Sequence, residues 1–139
     1  KVKKYFLNSN FNTNLILYIY LTNDNFNTKR KKGFLVNFNN KIKVQNKNYN
    51  FLFKHYHRNE DKKNRKIFIK VREESFCNTV LNNLSWEDLL IGFQCKINRK
   101  PNIYNNDFWY HFSNVYIDDV NFRYKSPCNQ CETILQQIY

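Results

Sequence analysis

Apolar and polar residues alternate with a period of two along much of the chain, as they do in a strand with one face buried and one solvated. In Lys41–Gln45 (KIKVQ), Ile42 and Val44 point one way while Lys41, Lys43 and Gln45 point the other. In Lys66–Val71 (KIFIKV), Ile67, Ile69 and Val71 oppose Lys66, Phe68 and Lys70. This spacing predicts lysines on a wet face over a buried aliphatic one. The continuous apolar run Leu15–Leu21 (LILYIYL) reads as a buried strand. Strands are also expected over Phe34–Phe38, Tyr49–Tyr56 (YNFLFKHY), Leu89–Ile97, Phe108–Phe112 (FWYHF) and Val115–Tyr124.

The connectors use Asn and charge rather than Gly. Asn39-Asn40 and Asn46–Asn48 suit tight hairpin turns, because Asn tolerates the left-handed backbone region. Asn23–Asn25 leading into Lys29-Arg30-Lys31-Lys32-Gly33 reads as an exposed basic loop, and Arg58–Lys63 as a mixed-charge tip. Helix signals are few. Ser85 can cap a short helix over Trp86–Leu89, in competition with a strand from Leu89. Ser126-Pro127 ahead of Cys128–Tyr139 fits a capped terminal helix. The pattern therefore predicts a mainly β fold, a single β-sandwich or small barrel-like domain over residues 1–139, with about eight antiparallel strands and a short C-terminal helix.

Composition adds a strong bias. There are 25 Asn, no Ala, no Met, two Gly and two Pro, and the profile resembles that of malaria-parasite proteins and others from AT-biased genomes. The net charge of +12 points to an anionic partner, with compositional drift onto the surface as the competing explanation. A chain beginning at Lys1 without Met is expected to be an excerpt or processed form of a longer protein, which leaves its compartment open. No apolar run approaches the roughly 18–20 residues of a membrane-spanning helix, so no transmembrane segment is expected.

The candidate chemistry is sparse. Cys77, Cys95, Cys128 and Cys131 can be two disulfides, a thiol cluster or a structural zinc site, and the last pair has Cys-x-x-Cys spacing. The segment Ser126–Glu132 (SPCNQCE) resembles the Pro-Cys-x-x-Cys half of the zinc-dependent nucleoside deaminases. Those enzymes also need an upstream His-x-Glu, and the chain has none. Asp118-Asp119 within Tyr116–Val120 resembles an acidic calcium loop of C2-type sandwiches, or a late strand of carbohydrate-binding jelly rolls; a β-bulge or turn with solvated acids is the favoured reading. His55 and His57, two apart on an expected strand, share a face without a completing ligand, and His111 sits among aromatics. Two Gly residues cannot build a phosphate loop, and no Ser lies in a nucleophile elbow.

No catalytic, cofactor or metal set is therefore expected. The expectation is a non-enzymatic binding or scaffolding module contacting an anionic membrane surface or a protein partner. Lys29, Arg30, Lys31, Lys32, Arg99, Lys100 and an outward Trp109 are the candidate contacts. The alternative is a basic subunit of a large ribonucleoprotein or other multi-protein assembly, with nucleic acid as the partner.

Overall fold

The apolar run forms β1 (Leu15–Thr22), buried along its whole length at the centre of a mixed sheet. The computed structural model describes residues 1–27, 32–58 and 63–116. On one side of β1 lies β2 (Lys32–Asn37), antiparallel, and beyond it β3 (Lys43–Asn48), antiparallel to β2. On the other side β4 (Arg65–Arg72) runs parallel to β1, followed by antiparallel β5 (Cys95–Lys100). Among the described residues the order is β3-β2-β1-β4-β5.

Helices cover both faces, which is why β1 is apolar on both. One face carries Leu15, Leu17, Ile19, Ile67, Ile69 and Val71. It packs under α1 (Val2–Asn8), α3 (Glu73–Leu81), α4 (Glu87–Ile91) and α5 (Asn106–Asn114), which supply Tyr5, Phe6, Phe76, Leu89, Phe108 and Phe112. The other face carries Ile16, Tyr18, Tyr20 and Phe68 beneath Leu52 and Tyr56 of α2 (Tyr49–His57). Edge-to-face ring pairs such as Phe11–Phe38 at 5.0 Å fill the larger core.

This architecture overturns the expected sandwich or barrel of eight antiparallel strands: it is one mixed sheet between helices. The segment Tyr49–Tyr56 is helix, not strand. Asn48 Oδ1 accepts the Phe51 amide at 2.8 Å as an N-cap, and Leu52 and Tyr56, four apart, form the buried stripe. Phe108–Phe112 is also helix. Phe108, Trp109 and Phe112 are buried while Tyr110 is 74% exposed, a helical spacing that two-residue alternation cannot produce.

Leu89–Ile97 divides between α4 and β5, and Trp86, not Ser85, takes the N-cap position of α4. Asn46–Asn48 continues β3 into α2 instead of turning. The Asn39-Asn40 turn is present, with Asn40 at a φ of 58°. Val115 and Tyr116 follow α5 as a turn; the rest of the expected strand to Tyr124 and the expected terminal helix lie outside the described residues. Among the described residues, no helix is long and apolar enough to cross a membrane.

Candidate anionic-surface interface

Strand register gathers the lysines. Lys66 and Lys70 of β4 sit on the α2 side, because their neighbours Ile67, Ile69 and Val71 pack on the opposite face. Register pairs Lys66 with Lys100 and Lys70 with Lys96, which sets both β5 lysines on the same side. At the far edge, Val44 packs toward the larger core, so Lys43 and Lys47 of β3 also face α2. Lys43, Lys47, Lys66, Lys70, Lys96 and Lys100 thus share one face of the sheet. The sequence of α2 adds Lys54, His55 and His57 in its last turn and contains no acid.

The described acids lie elsewhere. Glu73 and Glu74 open α3, Glu87 and Asp88 open α4 and Asp107 opens α5, all on the opposite layer, and Asp24 is in the loop after β1. Each helical acid sits in a first turn, where the helix dipole favours it. Among the described residues, the helical acids therefore all lie on the layer opposite α2.

Aromatic rings organise the basic face. Lys47 Nζ lies 4.6 Å from the Phe51 ring centroid, Lys70 Nζ 6.0 Å from Tyr49 and Lys100 Nζ 5.0 Å from Tyr56. Lys96 and Arg72 both approach Phe26, at 4.8 and 5.1 Å. Lys66 is the exception to a wet lysine face. Only 3% exposed, it runs beneath α2 and its ammonium donates to the Arg58 carbonyl at 3.0 Å, at the negative end of the helix. Phe51 and Phe53 on α2 remain 39% and 44% exposed, Phe51 against His55 and Phe53 against Tyr49 and His57.

Strand pairing does not favour this charge. Like charges directly opposite on adjacent strands are destabilising, by a few tenths to about 1 kcal/mol. Lys66–Lys100 and Lys70–Lys96 are two such pairs. Lysines on the outer strands β3 and β5 do discourage edge-to-edge pairing, but β4 is an interior strand.

The residues singled out from sequence fall in different places. Lys100 belongs to the basic face. Arg99 points to the other side of β5, its guanidinium 5.3 Å from the Tyr104 ring. Lys32 is exposed at the start of β2, while Lys29, Arg30 and Lys31 lie outside the described residues. Trp109, expected to point outward from a strand, is 3% exposed within α5, so it is not a surface contact.

Cys77 on α3 and Cys95 on β5 are free thiols; Cys128, Cys131, Asp118 and Asp119 lie outside the described residues. Burial pushes the Cys95 thiol up to about 11, and its Sγ contacts the Leu89 carbonyl at 3.4 Å. Cys77 is also raised, by burial and then by Glu73. His55 and His57 sit on a helix, not on one strand face. His55 Nδ1 hydrogen-bonds the buried Tyr18 hydroxyl at 2.8 Å, and His111 Nε2 donates to the Ser9 carbonyl at 2.7 Å. Among the described residues, no three His, Cys, Asp or Glu side chains converge as a metal site would require.

Sequence reading missed Lys47, Lys70 and Lys96 as one surface. The alternation in Cys95–Lys100 (CKINRK), with Lys96, Asn98 and Lys100 opposite Ile97, is the signal that identifies the third strand of that face.

No family model matches the chain. No solved structure matches it. Short stretches are similar to cytidine monophosphate-N-acetylneuraminic acid hydroxylases. The one from Sus scrofa is 46% identical over 44 residues, 32% of this chain and 10% of the relative. The one from Danio rerio is 43% identical over 44 residues, 32% of this chain and 7% of the relative. An inactive hydroxylase from Homo sapiens is 43% identical over 44 residues, 32% of this chain and 9% of the relative. The chain spans a tenth or less of the length of these curated relatives, and what it shares with them is a local stretch of sequence.

Proposed function

We propose that the chain is a non-enzymatic binding module that meets an anionic membrane surface through α2 and the lysine face of the sheet. The observation carrying this reading is the shared orientation of Lys43, Lys47, Lys70, Lys96 and Lys100, with the described helical acids on the opposite layer. Each cation near an acidic bilayer contributes about 1 kcal/mol, acting within a Debye length of about 8 Å at physiological salt. Phe51 and Phe53 supply apolar area that can enter the headgroup region beside those charges. Sedimentation with phosphatidylserine-containing vesicles tests it. Binding that weakens with salt and is absent on pure phosphatidylcholine is expected; equal binding to both would refute it. Steeply salt-dependent RNA binding without vesicle binding would favour the ribonucleoprotein alternative.

The local similarity to hydroxylases favours a second reading. In it the chain is a segment of a larger enzyme of that kind, and the same basic face meets an anionic substrate. Those relatives are named for cytidine monophosphate-N-acetylneuraminic acid. Calorimetric titration with cytidine monophosphate separates the readings, because a membrane module has no need of the nucleoside. Saturable binding that exceeds binding of inorganic phosphate would support the enzyme segment.

A further inference from the structure

At one edge of the basic face, the end of α2 and strand β5 form an open cleft of about 430 Å³. Among the described residues, Tyr56, His57, Asn98, Arg99, Lys100 and Asn102 contribute to its wall, and no described carboxylate does. We propose that this cleft binds a phosphate monoester, held by Lys100 and His57. The inference deepens the reading of the α2 side as an anion-facing surface and rests on it.

The geometry supplies what a phosphate needs. Lys100 Nζ stands 3.5 Å from His57 Nδ1, at the limit of a hydrogen bond, and above the Tyr56 ring. An ammonium has three N–H donors, so two remain after that contact. An anion arriving here can accept from the two remaining Lys100 N–H donors and from the His57 Nε2–H, whose Nδ1 faces Lys100. The amides of Asn98 and Asn102 are further donors in the same wall. Antiparallel pairing of β5 with β4 sets Lys100 beside a second cation, Lys66.

The volume lies in the range of small-ligand sites, and the open mouth suits a phosphate carried on a larger body. A monoester carries roughly −1.5 to −2 charges at neutral pH, against a single charge for a diester-linked headgroup phosphate. The cleft should therefore prefer the monoester. A lipid headgroup and a soluble phosphate ester share this chemistry.

The test compares the full chain on two phosphatidylcholine vesicle types of equal charge. One contains phosphatidylinositol monophosphate and the other phosphatidylserine; inorganic phosphate is titrated separately while the His57 ring resonances are followed by NMR. We expect at least about fivefold tighter binding to the monophosphate vesicles. Lys100→Gln should abolish that preference while weakening phosphatidylserine binding only as far as the loss of any one face cation does; His57→Gln should abolish the preference, and Lys100→Arg should keep it. Lys43→Gln, at the far edge, should weaken both vesicle types alike. Equal binding to the two vesicles with no response to inorganic phosphate overturns the cleft and leaves the membrane reading intact. A preference that survives Lys100→Gln also overturns it. Phosphate-induced shifts of His57 without vesicle binding support the cleft with a soluble ester and refute the membrane reading.

Discussion

Arg65 at the start of β4 grips Asp107 in the first turn of α5 with two parallel contacts, Nη1 to Oδ1 at 2.8 Å and Nη2 to Oδ2 at 2.6 Å. The same guanidinium donates to Asn105 Oδ1 at 3.3 Å and to the Thr13 hydroxyl. One side chain thereby ties the approach to β1, the start of β4 and helix α5. The hydrogen bond from Arg65 holds the Asp107 carboxyl below its ordinary range, against an opposing effect of burial.

A carboxyl lowered by folding stabilises the protein above its unfolded pKa, and that contribution is lost as pH falls through the folded value. Both partners are partly exposed, so solvent screens the pair. Asp107→Asn should therefore cost less than about 1 kcal/mol at neutral pH. Urea denaturation at descending pH should show the variant and the parent converging in acid. Parallel curves down to the lowest pH would contradict this role.

Gly33 allows β2, β1 and α2 to meet. A Cβ built there would stand 2.2 Å from the Ile19 carbonyl oxygen and 2.6 Å from Leu52 Cδ1. The first contact is backbone and cannot rotate away. Gly33→Ala should destabilise by about 2 kcal/mol or more, the range of an overpacked core. A denaturant midpoint unchanged from the parent would show that the β1–β2 register is misplaced.

The two described thiols should react in a fixed order. Cys95 is half-buried with its thiol raised to about 11, whereas Cys77 is exposed on α3. The thiolate is the nucleophile, so iodoacetamide at mildly alkaline pH should label Cys77 first and spare Cys95 until the chain unfolds. Peptide mapping by mass spectrometry checks this; early labelling of Cys95 would contradict the packing of β5 against α4.

The parts of the fold legible in the sequence are those where side-chain period and burial agree. Leu15–Thr22 and Arg65–Arg72 are strands because aliphatic residues recur every second position over a core. In Tyr49–His57, Tyr49, Phe51, Phe53 and His55 also recur every second position and imitate a strand. There the Asn48 cap and the Leu52–Tyr56 stripe outweigh the strand preference of the aromatics. The five aromatic or imidazole residues of Phe108–Phe112 hide their helical period, since only three of them are buried in α5. The lysine alternation was equally legible strand by strand. That Lys43, Lys70 and Lys96 share a face was not, because it depends on a parallel β1–β4 pairing between distant segments.

If the lysine face, rather than the net charge, is what meets an anionic surface, where a cation is removed must matter more than how many are removed. The decisive comparison is between two triple variants of equal charge. Lys43→Gln, Lys47→Gln and Lys96→Gln remove cations from the α2 side, while Lys1→Gln, Lys3→Gln and Lys4→Gln remove them from α1 and its N-cap on the opposite layer. Partitioning onto phosphatidylserine vesicles at low salt should fall at least about tenfold for the first triple, at roughly 1 kcal/mol per cation near the membrane, and much less for the second. Melting temperatures should stay nearly unchanged in both, since exposed substitutions seldom exceed about half a kcal/mol. Equal losses in the two variants would mean that charge alone governs binding, and the account of a built basic face would be wrong.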